Sequence, residues 1–215
     1  KSVAKAERVT VAVLNYIPFV SGFYAEMPQV LKSCLDAIRQ ETTVPFDLMV
    51  FDNASCEEVQ QYLLDERAAG HIQYLTLSEK NLGKGGAWNI MLSGAPGEVV
   101  AYMDNDCLVS KGWLARSLEI LETYPNAGMV TSRPFRTQPE VYSSTLKWAQ
   151  ENPDVSVELG DIIPFEVFQE FDRSLAQTDE EIRQHYATSE DVLIEYEGVQ
   201  AIIGASHWQF VARKN

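Results

Sequence analysis

Over the first 132 residues, short apolar runs alternate with segments whose apolar residues recur at helical spacing. That alternation constrains the fold more than any other feature of the chain. RVTVAVL (8–14) is a β-branched run suited to a strand buried on both faces. MPQVLKSCLDAIRQ (27–40) places Val30, Leu31, Cys34, Leu35 and Ile38 on one helical face. FDLMVF (46–51) reads as a second strand. SCEEVQQYLLDERAAG follows as a helix, with Ser55 as N-cap, Glu57 and Glu58 in the first turn and Gly70 at the close. HIQYLTL (71–77) is a third strand, GKGGAWNIMLSGAPG (83–97) a helix stopped by Gly94, Pro96 and Gly97, and EVVAYM (98–103) a fourth strand. WLARSLEILETYP (113–125) completes the series as a helix, with AGMVTS (127–132) as a fifth strand. Repeated strand–helix–strand units predict an α/β fold with a mostly parallel central sheet flanked by helices. Ligands of such sheets bind beyond the C-terminal strand ends, where Asn15, Asp52, Asn81 and Asp104 fall.

The pattern weakens after residue 133. PFRTQPEVYSSTLKWAQENPDV reads as an irregular excursion over the sheet edge, TDEEIRQHYA as a short helix N-capped by Thr178, and VQAIIGASHWQFVARKN (199–215) as a late strand.

The chain has 215 residues, 46% of them hydrophobic, enough for one domain with a sizeable core. No apolar run is long enough to span a membrane, and the basic start KSVAKAERVT lacks the apolar stretch of a signal peptide. The expected location is cytoplasmic, peripheral to the inner face of the membrane at most. Cys34, Cys56 and Cys107 are widely spaced and odd in number, which favours reduced thiols over a disulfide framework or a zinc site. A net charge of -14 argues against nucleic acid as the main partner. An anionic ligand must then be held locally, by a metal ion or a small basic cluster.

Two segments offer such a place. In VVAYMDNDC an apolar strand ends in Asp104-Asn105-Asp106. Carboxylates this close repel each other unless one is protonated or a cation lies between them. A hard divalent ion takes one or two protein carboxylates and completes its shell with water and phosphate oxygens. The same triplet also suits a plain turn. In SEKNLGKGGAWNIML, three glycines, Lys80 and Lys84 enter a helix, where backbone amides and ammonium groups receive phosphate. It is neither a Walker loop nor a dinucleotide fingerprint, since GK[ST] is absent and GxGxxG does not follow the first strand. Asp52 suits hydrogen bonds from a base or ribose, or an Asx-turn; Tyr16 suits stacking on a base, or packing at the core edge.

Taken in order, VAVLNYIP, VFDNAS, EKNLGKGGAWNIML and YMDNDCLVSKGWL resemble four segments of the family 2 glycosyltransferases of the GT-A fold, across about residues 8–135. Their flavour is that of the bacterial rhamnosyltransferase-like branch that builds surface polysaccharides. The resemblance implies a single GT-A domain over 1–215, nucleotide-sugar-binding in 8–135 and acceptor-facing in 136–215. It implies inverting transfer from a nucleotide-diphosphate sugar to a carbohydrate or lipid-linked acceptor hydroxyl, with Mg²⁺ or Mn²⁺. On the matching positions, Leu14, Asn15 and Tyr16 would line the nucleoside pocket and Asp52 would contact base or ribose. Lys84 would approach the diphosphate, with Asn81 and Gly83 shaping its loop. Asp104 and Asn105 would face the donor, Asp104 also a metal-bound water, and Asp106 would hold the metal.

Relatives place the catalytic base in an acidic pair on a helix after a late strand of the GAxxxxxR kind. IIGASHWQFVARKN resembles that strand, so the usual base is expected beyond residue 215. Within the chain, Asp191 of the pair Glu190-Asp191 is the candidate, although it precedes that strand. His207 suits donor or acceptor contact, or a structural place in the strand; Trp148 and Trp208 suit sugar stacking, or packing. The rivals are a nucleotide-sugar-binding protein without turnover, a sugar nucleotidyltransferase, whose arginine-bearing loop LNYIPFVSG does not supply, and a response-regulator-like module, which has no use for the lysine–glycine loop.

Overall fold

The computed structural model describes residues 3–134, 136 and 139–214. Lys1, Ser2, Phe135, Thr137, Gln138 and Asn215, which fall in the expected basic start, excursion and late strand, lie outside the described residues. The chain divides into two compact units, one of Lys1–Leu118, Gly128–Val130 and His207–Asn215, the other of Glu119–Ala127 and Thr131–Ser206.

The first unit is built on a five-stranded sheet. β1 (Val9–Asn15), β2 (Asp47–Asp52), β3 (Tyr74–Leu77) and β4 (Val99–Asp104) run parallel, and β8 (Gln209–Arg213) adds antiparallel to β4. The order is β3-β2-β1-β4-β8. All seven residues of β1 are buried, as a strand covered on both faces requires. Helices α1 (Met27–Glu41), α2 (Glu57–Ala68) and α3 (Gly83–Gly94) connect the parallel strands. On one face Ala12, Leu14, Phe51 and Tyr102 pack with Ala87 and Met91 of α3. α1 buries Leu31, Cys34, Leu35 and Ile38, the stripe read from its periodicity. α4 (Trp113–Thr123) follows β4.

The register aligns the polar strand ends. Asn15 pairs with Asp52 across β1 and β2, and Leu14 with Asp104 across β1 and β4. Between α3 and β4 the chain turns tightly at Gly97. Its amide donates to Thr10 Oγ1 at 2.9 Å, and a Cβ there would lie 2.7 Å from the Arg8 carbonyl oxygen.

The second unit carries a three-stranded antiparallel sheet, β5 (Val155–Gly160), β6 (Asp191–Tyr196) and β7 (Val199–Ile202), in that order. α5 (Pro139–Glu151), α6 (Phe165–Ser174) and α7 (Asp179–Thr188) accompany it. Tyr124, Tyr142, Ala149, Val192 and Ile194 form one core, and Ile163, Phe168 and Ile182 a smaller one. α7 begins in a capping box in which the Thr178 side chain and Glu181 bond reciprocally.

Four expectations are corrected. The excursion after residue 133 contains α5, whose Tyr142, Leu146 and Ala149 keep helical spacing beneath a Ser- and Thr-rich surface. The late strand is two strands in different sheets, parted near Gly204, whose φ is 139°. AGMVTS forms only an isolated bridge from Val130 to Val211 of β8, the edge strand of the sheet. The third strand is confined to Tyr74–Leu77. No helix among the described residues is long and apolar enough to cross a membrane.

Candidate functional site

Parallel strands with polar C-terminal residues bring three loops together at one sheet edge, and buried amides knit them. Asn15, fully buried, donates from Nδ2 to Asp52 Oδ1 at 2.8 Å and to Ser55 Oγ at 3.0 Å. Its Oδ1 accepts from Asn105 Nδ2 at 2.7 Å. Asp52, also fully buried, accepts from the Ser55 amide at 3.0 Å and from Gln60 Nε2 at 3.3 Å. The ends of β1, β2 and β4 are thus tied by one chain of side-chain bonds, each satisfying a buried polar group. Ser55 is not the helix cap expected of it. Cys56 holds that position, and the Ser55 hydroxyl accepts from Asn15 and from the Ile17 amide at 2.9 Å.

The glycine loop is shaped by two asparagines. Asn53 Oδ1 accepts from the Leu82 amide at 2.9 Å and Asn81 Oδ1 from the Gly83 amide at 2.8 Å, while Asn53 Nδ2 donates to Asn81 Oδ1 at 3.0 Å. Gly83 takes φ +68°, which favours glycine at the start of α3. The helix then delivers Lys84 to the end of β4, with Nζ 2.7 Å from Asp104 Oδ2. The Tyr102 hydroxyl donates to the other oxygen, Asp104 Oδ1. Lys84 Nζ also lies 5.3 Å from the Trp88 ring centre and 5.7 Å from that of Tyr102.

Asp106 is exposed in the turn after β4. Desolvation, and then the Asp104 charge beside it, hold its carboxyl above the usual range. Burial followed by the Asp106 and Asp104 charges pushes the Cys107 thiol up to about 12, and burial does the same for Cys34. Both thiols are therefore poor nucleophiles. No group of three or more metal-type side chains occurs among the described residues. A divalent ion here would take two carboxylates at most from the protein, leaving its remaining positions to water and ligand oxygens. The two neighbouring carboxylates of Asp104 and Asp106 fit that habit of Mg²⁺.

The structure brings Asn15, Asp52, Asn81, Gly83, Lys84, Asp104, Asn105 and Asp106 to one edge, but in two layers. Asn15, Asp52 and Asn105 are buried and spend their polar atoms on each other. Leu14 packs in the core against α3. Tyr16, Asn81, Gly83, Lys84, Asp104 and Asp106 retain exposure. Tyr16 meets Tyr24 edge-on at 6.5 Å. Lys80 is exposed on the same loop.

The candidate residues beyond this edge have partners within the fold. Asp191 is 2% exposed and accepts from Arg136 Nε at 2.9 Å and Nη2 at 2.8 Å, and from the amides of Ile162 and Ile163 at 2.9 and 2.8 Å. Burial alone would raise its carboxyl, but the Arg136 and backbone bonds bring it below the usual range. Both lone-pair sets are engaged, which removes it as a ready proton acceptor. Trp148 packs with Tyr124 and Tyr196 in the second unit. His207 lies in a bend before β8 rather than within the strand, against Trp208 at 5.0 Å. Sequence reasoning did not single out Asn53, Trp88 or Tyr102. Tyr102 was legible in principle, two positions before Asp104 and therefore on the same strand face.

A parallel sheet whose strand ends gather a lysine–glycine helix start and an acidic turn defines the candidate edge of this α/β domain. Residues 20–180 match the family described as Glycosyl transferase family 2, and the chain belongs to that family. Two curated relatives are similar over part of their length. Glycosyltransferase AglE of Haloferax volcanii is 24% identical over 135 residues, 54% of this chain and 44% of that protein. The uncharacterized glycosyltransferase alr2836 of Nostoc sp. is 26% identical over 102 residues, 46% of this chain and 31% of that one. The chain thus spans less than half the length of either. Among solved structures, the Pyrobaculum calidifontis mannosyltransferase PcManGT with GDP-Man and Mn²⁺ has a TM-score of 0.47 at 24% identity, covering 66% of this chain and 39% of its own. S. aureus TarS with UDP-GlcNAc has 0.44 at 21%, covering 54% and 31%.

Proposed function

We propose that this domain binds a nucleotide-diphosphate sugar at the strand-end edge and transfers its sugar to an acceptor hydroxyl with inversion, aided by Mg²⁺ or Mn²⁺. The observation that carries this reading is the 2.7 Å contact between Lys84 and Asp104. Two segments read separately as a phosphate cradle and a metal-holding turn meet at one point. Asp106, with Asp104, would hold the ion, which when bound supplies charge to the leaving diphosphate. Lys84 and the amides at the start of α3 would bind the diphosphate oxygens. Tyr16 offers the accessible aromatic face for a base, while the buried Asn15–Asp52–Asn105 chain fixes the loops that surround it. In this reading the chain is one GT-A domain, with its donor part in 8–135 and its acceptor-facing part in 136–215. The sugar is a hexose of the rhamnose-type surface-polysaccharide class, the acceptor is a carbohydrate or lipid-linked glycan, and the location is cytoplasmic.

A second reading, a domain that binds the donor without turnover, is supported by Asp191, the one candidate base named within these residues, whose carboxylate is held by Arg136 and the amides of Ile162 and Ile163. The test separates them. Thermal shifts with UDP-, GDP- and dTDP-sugars, with and without Mn²⁺, should find a metal-dependent stabilisation that grows with ligand concentration. Asp106→Ala should abolish it; unchanged calorimetric binding by that variant refutes the assignment. Donor binding without nucleotide release, in the presence of glycan acceptors, selects the second reading.

A further inference from the structure

We propose that Tyr102 is a positioning residue that reserves one oxygen of Asp104 for a single cation at a time, and that Lys84 holds this oxygen until a donor is loaded. The inference rests on the reading of the edge as a nucleotide-diphosphate-sugar site. An ionised carboxylate ordinarily accepts on both oxygens, so one such group can take a lysine and a second cation together. In Asp104 that freedom is restricted. The Tyr102 phenol donates to Oδ1. Tyr102 is fully buried, stacked on Phe210 at 5.1 Å and edge-on to Trp88 at 5.1 Å, which fixes the ring that carries the hydroxyl. A phenol proton on one lone pair of Oδ1 weakens that oxygen as a cation ligand. Oδ2 is the less encumbered oxygen, and the Lys84 ammonium holds it at 2.7 Å.

Lys84 is held there but can leave. Its side chain is 36% exposed. Two cations at hydrogen-bond range of one oxygen repel strongly. A bare divalent ion that takes Oδ2 must therefore displace the ammonium into water. A nucleoside diphosphate arriving with the ion instead offers the ammonium new anionic oxygens. The arrangement penalises the ion alone and favours ion with nucleotide, so that the chain's own lysine enforces coupled loading.

The test measures equilibrium binding of Mn²⁺ to the whole chain without nucleotide, and then of UDP, GDP and dTDP with Mn²⁺. Thermal melting verifies that each variant is folded. Lys84→Met keeps the length of the side chain and removes its charge. It should tighten bare Mn²⁺ binding by about tenfold while weakening the nucleotide by a similar factor. A purely structural lysine would not move the two in opposite directions. Tyr102→Phe preserves the ring and frees Oδ1. In that background Lys84→Met should gain less than about threefold for bare Mn²⁺, because ion and lysine then have an oxygen each. Unchanged or weaker Mn²⁺ binding by Lys84→Met overturns the proposal, as does an undiminished gain in the Tyr102→Phe background. If the unaltered protein takes up neither Mn²⁺ nor any nucleotide, the donor-site reading fails and this inference with it. If Asp106→Ala behaves as that reading requires while Lys84→Met leaves bare Mn²⁺ binding unchanged, only the exchange fails.

Discussion

At the scale of single residues, the outcome turns on which polar groups the fold consumes. An asparagine and an aspartate at strand ends look from the sequence like ligand contacts. In the folded chain Asn15 spends both ends of its amide on Asp52, Ser55 and Asn105. Removing it takes from the buried Asp52 the donor on Oδ1, leaving the Ser55 amide and Gln60 on Oδ2, and takes from Asn105 Nδ2 its acceptor. Hydrogen bonds to buried charged groups are worth about 1.5–3 kcal/mol. Asn15→Ala should accordingly lower stability by about 3 kcal/mol, read as a drop in the urea midpoint with an unchanged slope. Were Asn15 a surface ligand contact, the midpoint would hardly move. The types of these residues were legible in the sequence, since only polar side chains can end such strands usefully. Their division into knitting and accessible sets was not, because burial of an asparagine depends on the register that brings Asp52 beside it.

Among the elements, legibility followed how far a local signal decides the structure. The four parallel strands and the helices between them come from β-branched runs and 3.6-residue spacing, and they appear where the sequence places them within a few residues. The failures lie where a partner decides instead. AGMVTS has the composition of a strand, but only Val130 of it pairs, with Val211 at the outer edge of β8. VQAIIGASHWQFVARKN has an unbroken apolar character, yet its halves serve different sheets. α5 was hidden by serines and threonines on its exposed side. The glycine-rich ending of α3 illustrates an element boundary set by contact rather than by propensity. Gly97 has no room for a side chain, since an added Cβ would lie 2.7 Å from the Arg8 carbonyl oxygen and 2.8 Å from the Thr10 amide. Both are backbone atoms of the segment entering β1 and cannot move aside without shifting that strand. Gly97→Ala should lower stability by about 2 kcal/mol, within the range for overpacking, and thermal melting measures it directly. A melting temperature equal to the parent's would mean that β1 and the turn shift without penalty.

The whole molecule carries 31 acidic and 17 basic residues, a net charge of -14, and this sets two opposing responses to acid. Protonating exposed carboxylates relieves self-repulsion and stabilises the compact state. Protonating Asp191 does the reverse. Its folded-state carboxyl lies below the ordinary value, because the Arg136 and backbone bonds outweigh burial. A group with a depressed folded value contributes stability that is fully present above its unfolded value, about 3.9, and is lost as pH falls through the folded one. The pair is enclosed, with both side chains 0% exposed, so solvent does not dilute the effect. Chemical denaturation of the second unit should therefore hold steady or gain from pH 7 to about 5 as repulsion eases, then decline below about 4. Asp191→Asn should be less stable at neutral pH by about 3 kcal/mol, since it leaves the buried Arg136 charge with only the exposed Asp161 carboxylate, 3.0 Å from Nη2, as counter-ion. The same variant should lose the decline below pH 4, because the group responsible for it no longer titrates. A variant that declines in parallel with its parent would place the acid sensitivity elsewhere, among the exposed pairs such as Arg173 with Asp179.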